Sequence, residues 1–375
     1  VMKTFVRYAL LLLAVIVACQ TGIALAGDFY WVSSEKTDAA SAAGDQKAAA
    51  PAKSQCCPEE SICSDKGCCD NACDGCVCSA VESCRTWYVD YRIQQMLGYT
   101  SYQFGTGGPW HGYPAFDPLS KLDYSLNSTW TGVRFGVQRC NWDVHLEWLI
   151  PMVQHIDGGI KDYDWNIHSP YNDPTRLDSL SHSATRWNDG QKIELEADYK
   201  YSECFLGMPI EVWPLAGFRF QRFDMTAYGG EQIIPPTGPF NFQGDALTLN
   251  QQYYIGYIGF QLRRTIEREC RPPVNLAFQF DWGGTAGYMV DHHLIRETDM
   301  YTMESTGGDT LHLGLSGDIP LNCHLKLGLQ ADYLRIRTTG TIRQQEDGVT
   351  TYTGNHGVLV KSEQTDITAY LQYTF

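Results

Sequence analysis

From Arg85 to Phe375, apolar and polar side chains take turns with a period of two. Val144, Leu146, Trp148 and Ile150 alternate with Asp143, His145 and Glu147. Val274, Leu276, Phe278, Phe280 and Trp282 alternate with Asn275, Ala277, Gln279 and Asp281, and Ile367 to Phe375 repeats the pattern. Successive residues of a strand face opposite sides of a sheet, so each stretch reads as a strand with one apolar and one polar face. The outer face of a soluble sandwich would carry many Lys and Glu. Here the polar face holds Asp, Gln, His, Gly and Tyr, which can bond to one another inside a closed barrel, and the apolar face is rich in aromatics. Apolar toward lipid and polar inside is the pattern of a transmembrane β-barrel.

The expectation is an all-β fold, a ten-stranded antiparallel transmembrane β-barrel over residues 85–375. Strands fall near 86–104, 120–139, 143–156, 187–203, 210–228, 249–266, 274–290, 299–317, 323–339 and 359–375. Connections alternate in length, short near 140–142, 204–209, 267–273 and 318–322, and long near 105–119, 157–186, 229–248, 291–298 and 340–358. Short periplasmic turns and long outer loops are the outer-membrane arrangement. Ten strands enclose too little space for an open channel once polar side chains fill the interior. No segment after the N-terminal region has enough consecutive apolar residues for a helical span.

Residues 1–26 read as a secretory signal: Lys3 and Arg7, an apolar run from Tyr8 to Ala18, and Ala24-Leu25-Ala26 as a cleavage site before Gly27. Ile16-Val17-Ala18-Cys19 offers a rival, a lipid-modified Cys19. Losing this segment removes two positive charges and no negative ones, deepening the net charge of −15. So acidic a chain does not bind nucleic acid through its overall field. Residues 27–55 read as a disordered linker, poor in anything that could form a core. Residues 56–84 hold nine cysteines. In an exported chain disulfides are the first reading, with metal binding at Cys73, Cys76 and Cys78, or redox exchange, as alternatives. Cys140, Cys204, Cys270 and Cys323 fall at the four short turns. The expectation is a periplasmic rim linked to the Cys-rich segment or between neighbouring turns.

Two short strings carry chemistry. Asp162-Tyr163-Asp164-Trp165 and Asp291-His292-His293 each stand where a strand pattern runs out into a long loop. In extended chain, i and i+2 share a face, so Asp162 pairs with Asp164 and Asp291 with His293, while His292 points away. If the two pairs meet across a barrel mouth, they can activate a water molecule. Each string also has a plain reading, a solvated acidic loop for the first and a turn or zinc ligand set for the second.

Taken together, these residues resemble the omptins, outer-membrane aspartate/histidine endopeptidases of Gram-negative bacteria. Ser120-Lys121-Leu122-Asp123-Tyr124 is similar to the second-strand motif of that family. Leu215-Ala216-Gly217-Phe218, Tyr254-Ile255-Gly256 and Leu371-Gln372-Tyr373-Thr374-Phe375 are similar to its fifth strand, sixth strand and C-terminus. The resemblance spans 86–375. It implies that Asp162 and His293 hold and deprotonate the attacking water, that Asp291 orients His293, and that Asp164 completes the couple. It implies neither metal nor cofactor, a monomer in the outer membrane with its site facing out, peptide or protein substrates, and a need for lipopolysaccharide.

The chain departs from the family at the pocket beside the scissile bond. Met289 and Gln103 stand where many omptins carry acidic residues, which implies a weakened or altered preference for basic sites. Arg222 matches a lipopolysaccharide-binding position and Phe218 replaces an aromatic, whereas Phe220 and Gln252 replace expected polar groups. A second reading is a non-catalytic barrel, an adhesin or envelope anchor.

Overall fold

The computed structural model describes residues 85–105, 118–165, 177–234, 240–269, 271–296 and 298–375. The signal, linker and Cys-rich segment assigned to 1–84, and Cys270, lie outside these residues. Twelve strands are formed: β1 (Arg85–Phe104), β2 (Ser120–Ser125), β3 (Ser128–Arg139), β4 (Trp142–Pro151), β5 (His155–Trp165), β6 (Leu177–Tyr199), β7 (Glu211–Ile234), β8 (Phe240–Arg268), β9 (Arg271–His293), β10 (Met300–Pro320), β11 (Leu325–Glu346) and β12 (Val349–Thr374). Neighbours pair antiparallel, and β12 returns to β1 with Thr374 opposite Tyr88. Closure leaves no free edge.

The ring has ten rungs, because two of them are broken in the middle. β2 and β3 both pair with β1, and β4 and β5 both pair with β6. Gly98 causes the first break. Its φ of +138° suits a residue without a Cβ, its N–H donates to Asn127 Oδ1 at 2.9 Å, and its carbonyl accepts from the Leu126 N–H at 3.0 Å. Pro151 ends β4, and a proline cannot donate to a ladder. A bulge follows at Gly158 and Gly159, with φ of +96° and +62°. Such bulges bend a strand and re-aim its side chains. Beyond this one, β5 pairs with β2, Asp164 opposite Ser120.

The strands run further outward than the alternation predicts. β6 starts at Leu177, β8 at Phe240, and β9 continues through His293. β11 and β12 meet at Asp347-Gly348, whose φ values of +50° and +78° suit a two-residue hairpin turn. Both Asp162-Tyr163-Asp164-Trp165 and Asp291-His292-His293 therefore lie within strands rather than loops. The physical reason is solvent. Above the lipid the outward face no longer has to be apolar, so the sequence pattern fades while the backbone ladder continues.

Outward side chains such as Trp87, Phe135, Trp148, Ile258, Trp282 and Leu315 are exposed, as a lipid-facing belt requires. Exposed Tyr99, Tyr254 and Tyr288 mark its outer limit. The interior has two zones. The half nearer the short turns is charged: Arg92 pairs with Glu147 at 2.9 Å, Lys192 with Asp366 at 2.6 Å, and Arg219 with Asp281 at 2.6 Å. It surrounds a polar cavity of about 460 Å³. Above it Met96, Trp130, Leu149, Trp187, Phe223 and Met225 form an apolar collar. Trp130 meets Trp187 edge-on with ring centres 5.3 Å apart. The sequence had suggested a polar interior throughout. The collar instead separates the charged network from the mouth.

Candidate active site

β5 carries Asp162 and Asp164 up one wall of the mouth. Asp162 stands opposite Leu122 and Asp164 opposite Ser120, and both partners are buried, so the two carboxyls share the inner face. Tyr163 takes the other face, stacked against Trp165 at 5.9 Å with the Lys121 ammonium 5.5 Å from its ring centre. β9 carries the second pair. Asp291 is 2 % exposed and lies between Leu249 of β8 and Thr302 of β10. His293 Nε2 is 3.5 Å from Asp291 Oδ2. His292 turns outward, stacking on Tyr301 at 4.0 Å and bonding to Asp299 at 2.7 Å through Nε2.

The two walls are electrostatically joined. Burial, then the adjacent charge of Asp164, hold the Asp162 carboxyl well above the usual carboxylate range; Asp291 adds to this from across the mouth and Arg296 opposes it. Like charges held close favour retention of a proton. Arg296, on the connection after β9, is exposed and its Nη1 lies 3.3 Å from Met300 Sδ. It brings a positive charge that stabilises ionised Asp162.

Sequence reasoning had not singled out Arg296, Tyr102 or Glu304, and had named Tyr124 only as part of a strand motif. Tyr124 is buried within electrostatic reach of both Asp162 and Asp291. Tyr102 reaches across the interior and donates from its hydroxyl to Glu304 Oε1 at 2.6 Å. Alternation alone shows Glu304 facing in. Only the β9–β10 register, Met289 opposite Glu304 and Asp291 opposite Thr302, sets it beside the site.

The remaining expected positions are distributed as follows. Met289 is buried on the inner face, in register with Gln251 and Glu304. Gln103 lies on the outer face of β1, opposite Lys121 and Leu359. The β1 side chain that enters the site from this level is its neighbour Tyr102, 1 % exposed. Phe218 and Arg222 both face outward on β7. Arg222 is already paired, 3.2 Å from Asp189 and 3.1 Å from Asp224.

A carboxyl pair facing an Asp–His pair, with a proton in play on one carboxyl, is equipped to position a water and move its proton.

Comparison with known proteins agrees with this architecture. The model of the omptin family matches residues 119–375. The outer membrane protease OmpT from Escherichia coli matches over 77 % of this chain and 97 % of its own, at 14 % identity and a TM-score of 0.61. The translocator domain of the autotransporter NalP from Neisseria meningitidis covers 77 % of this chain and 88 % of its own, at 8 % identity and a TM-score of 0.34. No curated protein sequence matches. With its family model matched from the second rung of the barrel to the last residue, the chain belongs to the omptin family of outer-membrane proteases.

Proposed function

We propose that the protein is an aspartate/histidine endopeptidase that hydrolyses peptides or proteins outside the cell. One observation carries this reading: Asp164, its neighbour on β5, and Asp291, from across the mouth, both oppose ionisation of Asp162, and His293 Nε2 lies 3.5 Å from Asp291 Oδ2. Water held between Asp162 and His293 loses its proton as it attacks the scissile carbonyl. Asp291 stabilises the imidazolium that forms, and Asp164 sets the charge of Asp162. The product of attack is a tetrahedral intermediate, with no acyl-enzyme. Proton transfer by a positioned group contributes about 10²–10⁴-fold.

Met289 supplies an apolar wall where a basic substrate side chain would want a carboxylate, so a preference for Arg/Lys pairs is weakened. Lipopolysaccharide would meet the outer face at Phe218 and Arg222. Its phosphates would have to compete with the two carboxylates that already hold Arg222. The working form is a monomer in the outer membrane, its mouth to the exterior. Disulfides at the periplasmic rim belong to the same reading, because Cys140, Cys204 and Cys323 sit at three of the short turns.

The test is cleavage of a diverse peptide pool by protein refolded in detergent with lipopolysaccharide, read by mass spectrometry beside Asp164→Ala and His293→Ala. Cleavage by the wild type alone supports the proposal. A folded but inactive wild type favours the non-catalytic barrel.

A further inference from the structure

Among the described residues, two buried carboxylate oxygens on the β9–β10 wall have no hydrogen-bond partner: Asp291 Oδ1 and Glu304 Oε2. Both residues are nearly inaccessible, 2 % and 1 % exposed. They occupy diagonal positions on paired strands, since Met289 faces Glu304 and Asp291 faces Thr302. Diagonal neighbours on one face lie within reach of long side chains. Two buried, unpaired acceptors at diagonal positions of one face are costly. A single proton between them relieves both.

Among the described residues, the groups facing Glu304 include no cation to do this instead. β1 contributes the Tyr102 hydroxyl, β2 Tyr124, β9 Met289 and Asp291, and β11 the apolar Ile342, opposite Glu304. None of the ion pairs found among the described residues includes Glu304. Glu304 lies between the outer tyrosines and the mouth, in register one residue above Tyr288. There burial, and then the charge of Asp291, hold its carboxyl well above the usual range.

We propose that Glu304 is a positioning residue of the catalytic couple. As a neutral carboxylic acid it accepts a hydrogen bond from Tyr102 at Oε1 and donates one from Oε2 to Asp291 Oδ1. The other oxygen of Asp291 is left to orient His293. The chain Tyr102–Glu304–Asp291–His293 thereby ties the rotamer of the general base to two opposite walls of the barrel. This deepens the proposed hydrolytic reading and rests on it. It also gives Glu304 a role other than a charged floor for a basic substrate side chain.

The discriminating substitution is Glu304→Gln. A glutamine amide can accept from Tyr102 and donate to Asp291, so it imitates the acid but not the carboxylate. Glu304→Ala removes both bonds, and Tyr102→Phe removes one. Expected on a peptide that the wild type cleaves: Glu304→Gln keeps kcat within a few-fold and leaves the pH profile in place. Glu304→Ala loses about 10²-fold in kcat with little change in KM, as misplacement of a catalytic group does. Tyr102→Phe falls between. Two results would overturn the proposal. One is Glu304→Gln as impaired as Glu304→Ala; the other is Glu304→Gln selectively losing cleavage beside Arg or Lys, which would make Glu304 a charged pocket.

A second readout needs no activity. The infrared difference between folded wild type and Glu304→Gln at neutral pH should show one protonated carboxylic acid lost, and its absence overturns the proposal even in an active enzyme. If that band is present while the wild type cleaves nothing, the hydrolytic reading fails and the bridge stands.

Discussion

Asp162 on β5 and Asp291 on β9 stand on facing walls of the barrel mouth, close enough that the charge of Asp291 opposes ionisation of Asp162. Barrel closure makes this relationship. The two residues are separated by about a third of the chain, and β5 and β9 share no ladder. The site is therefore only as accurate as the register of the rungs between them.

Asp162 with its raised pKa predicts an acid limb of activity at higher pH than a free carboxylate would give. Its basic form is present only above that pKa, so activity falls as pH drops through it. Replacing Arg296 with Gln removes the charge that favours ionised Asp162, raises the pKa further and moves the acid limb upward. The measurement is kcat/KM against pH. A limb that stays in place would separate Arg296 from the site.

His293→Ala and Asp164→Ala should each reduce kcat by about 10²–10⁴-fold. Their barrels should remain folded, because neither side chain belongs to the apolar collar. Electrophoretic mobility before and after heating reads the fold, and peptide cleavage reads the activity.

Arg219 and Asp281 form a buried bidentate pair, Nη1 to Oδ1 at 2.6 Å and Nη2 to Oδ2 at 2.9 Å. His312 Nδ1 joins Asp281 at 2.6 Å. Asp281→Ala removes the bidentate partner and leaves the guanidinium with the Glu194 carboxylate at 3.0 Å, which should cost about 3 kcal/mol. The double variant Arg219→Met, Asp281→Leu should recover much of that loss. Denaturant titration in lipid or detergent compares the three, and the cleavage site pattern should not change.

Gly98→Ala should disturb both fold and site. A Cβ there meets the Glu363 carbonyl oxygen, and the φ of +138° is foreign to alanine. A loss of about 2 kcal/mol or more fits a side chain forced into such a position. Activity should fall more than stability, because the same break sets β2 against β5 and so places Asp162. Unfolding and kcat measured on one preparation decide this.

The rim cysteines predict covalent links on the periplasmic side. Peptide mapping without reductant should recover cross-linked peptides that contain a cysteine from the short turns. Recovery of every such peptide as a free thiol would remove disulfides from the reading.

The sequence alone determined the ten rungs and their order, because within lipid each outward residue must be apolar and each inward one can be polar, and that constraint is written locally with a period of two. It determined for the same reason that Asp162 shares a face with Asp164 and Asp291 with His293. It did not determine where the strands end, since Leu177 to Arg186 and Phe240 to Thr248 stand above the lipid, where hydrogen bonding continues without an apolar signature. Nor did it show that Tyr102, not Gln103, enters the site, or that Glu304 lies beside Asp291. Those depend on closure and cross-strand register, which join residues far apart in sequence through backbone hydrogen bonds that no side-chain pattern records.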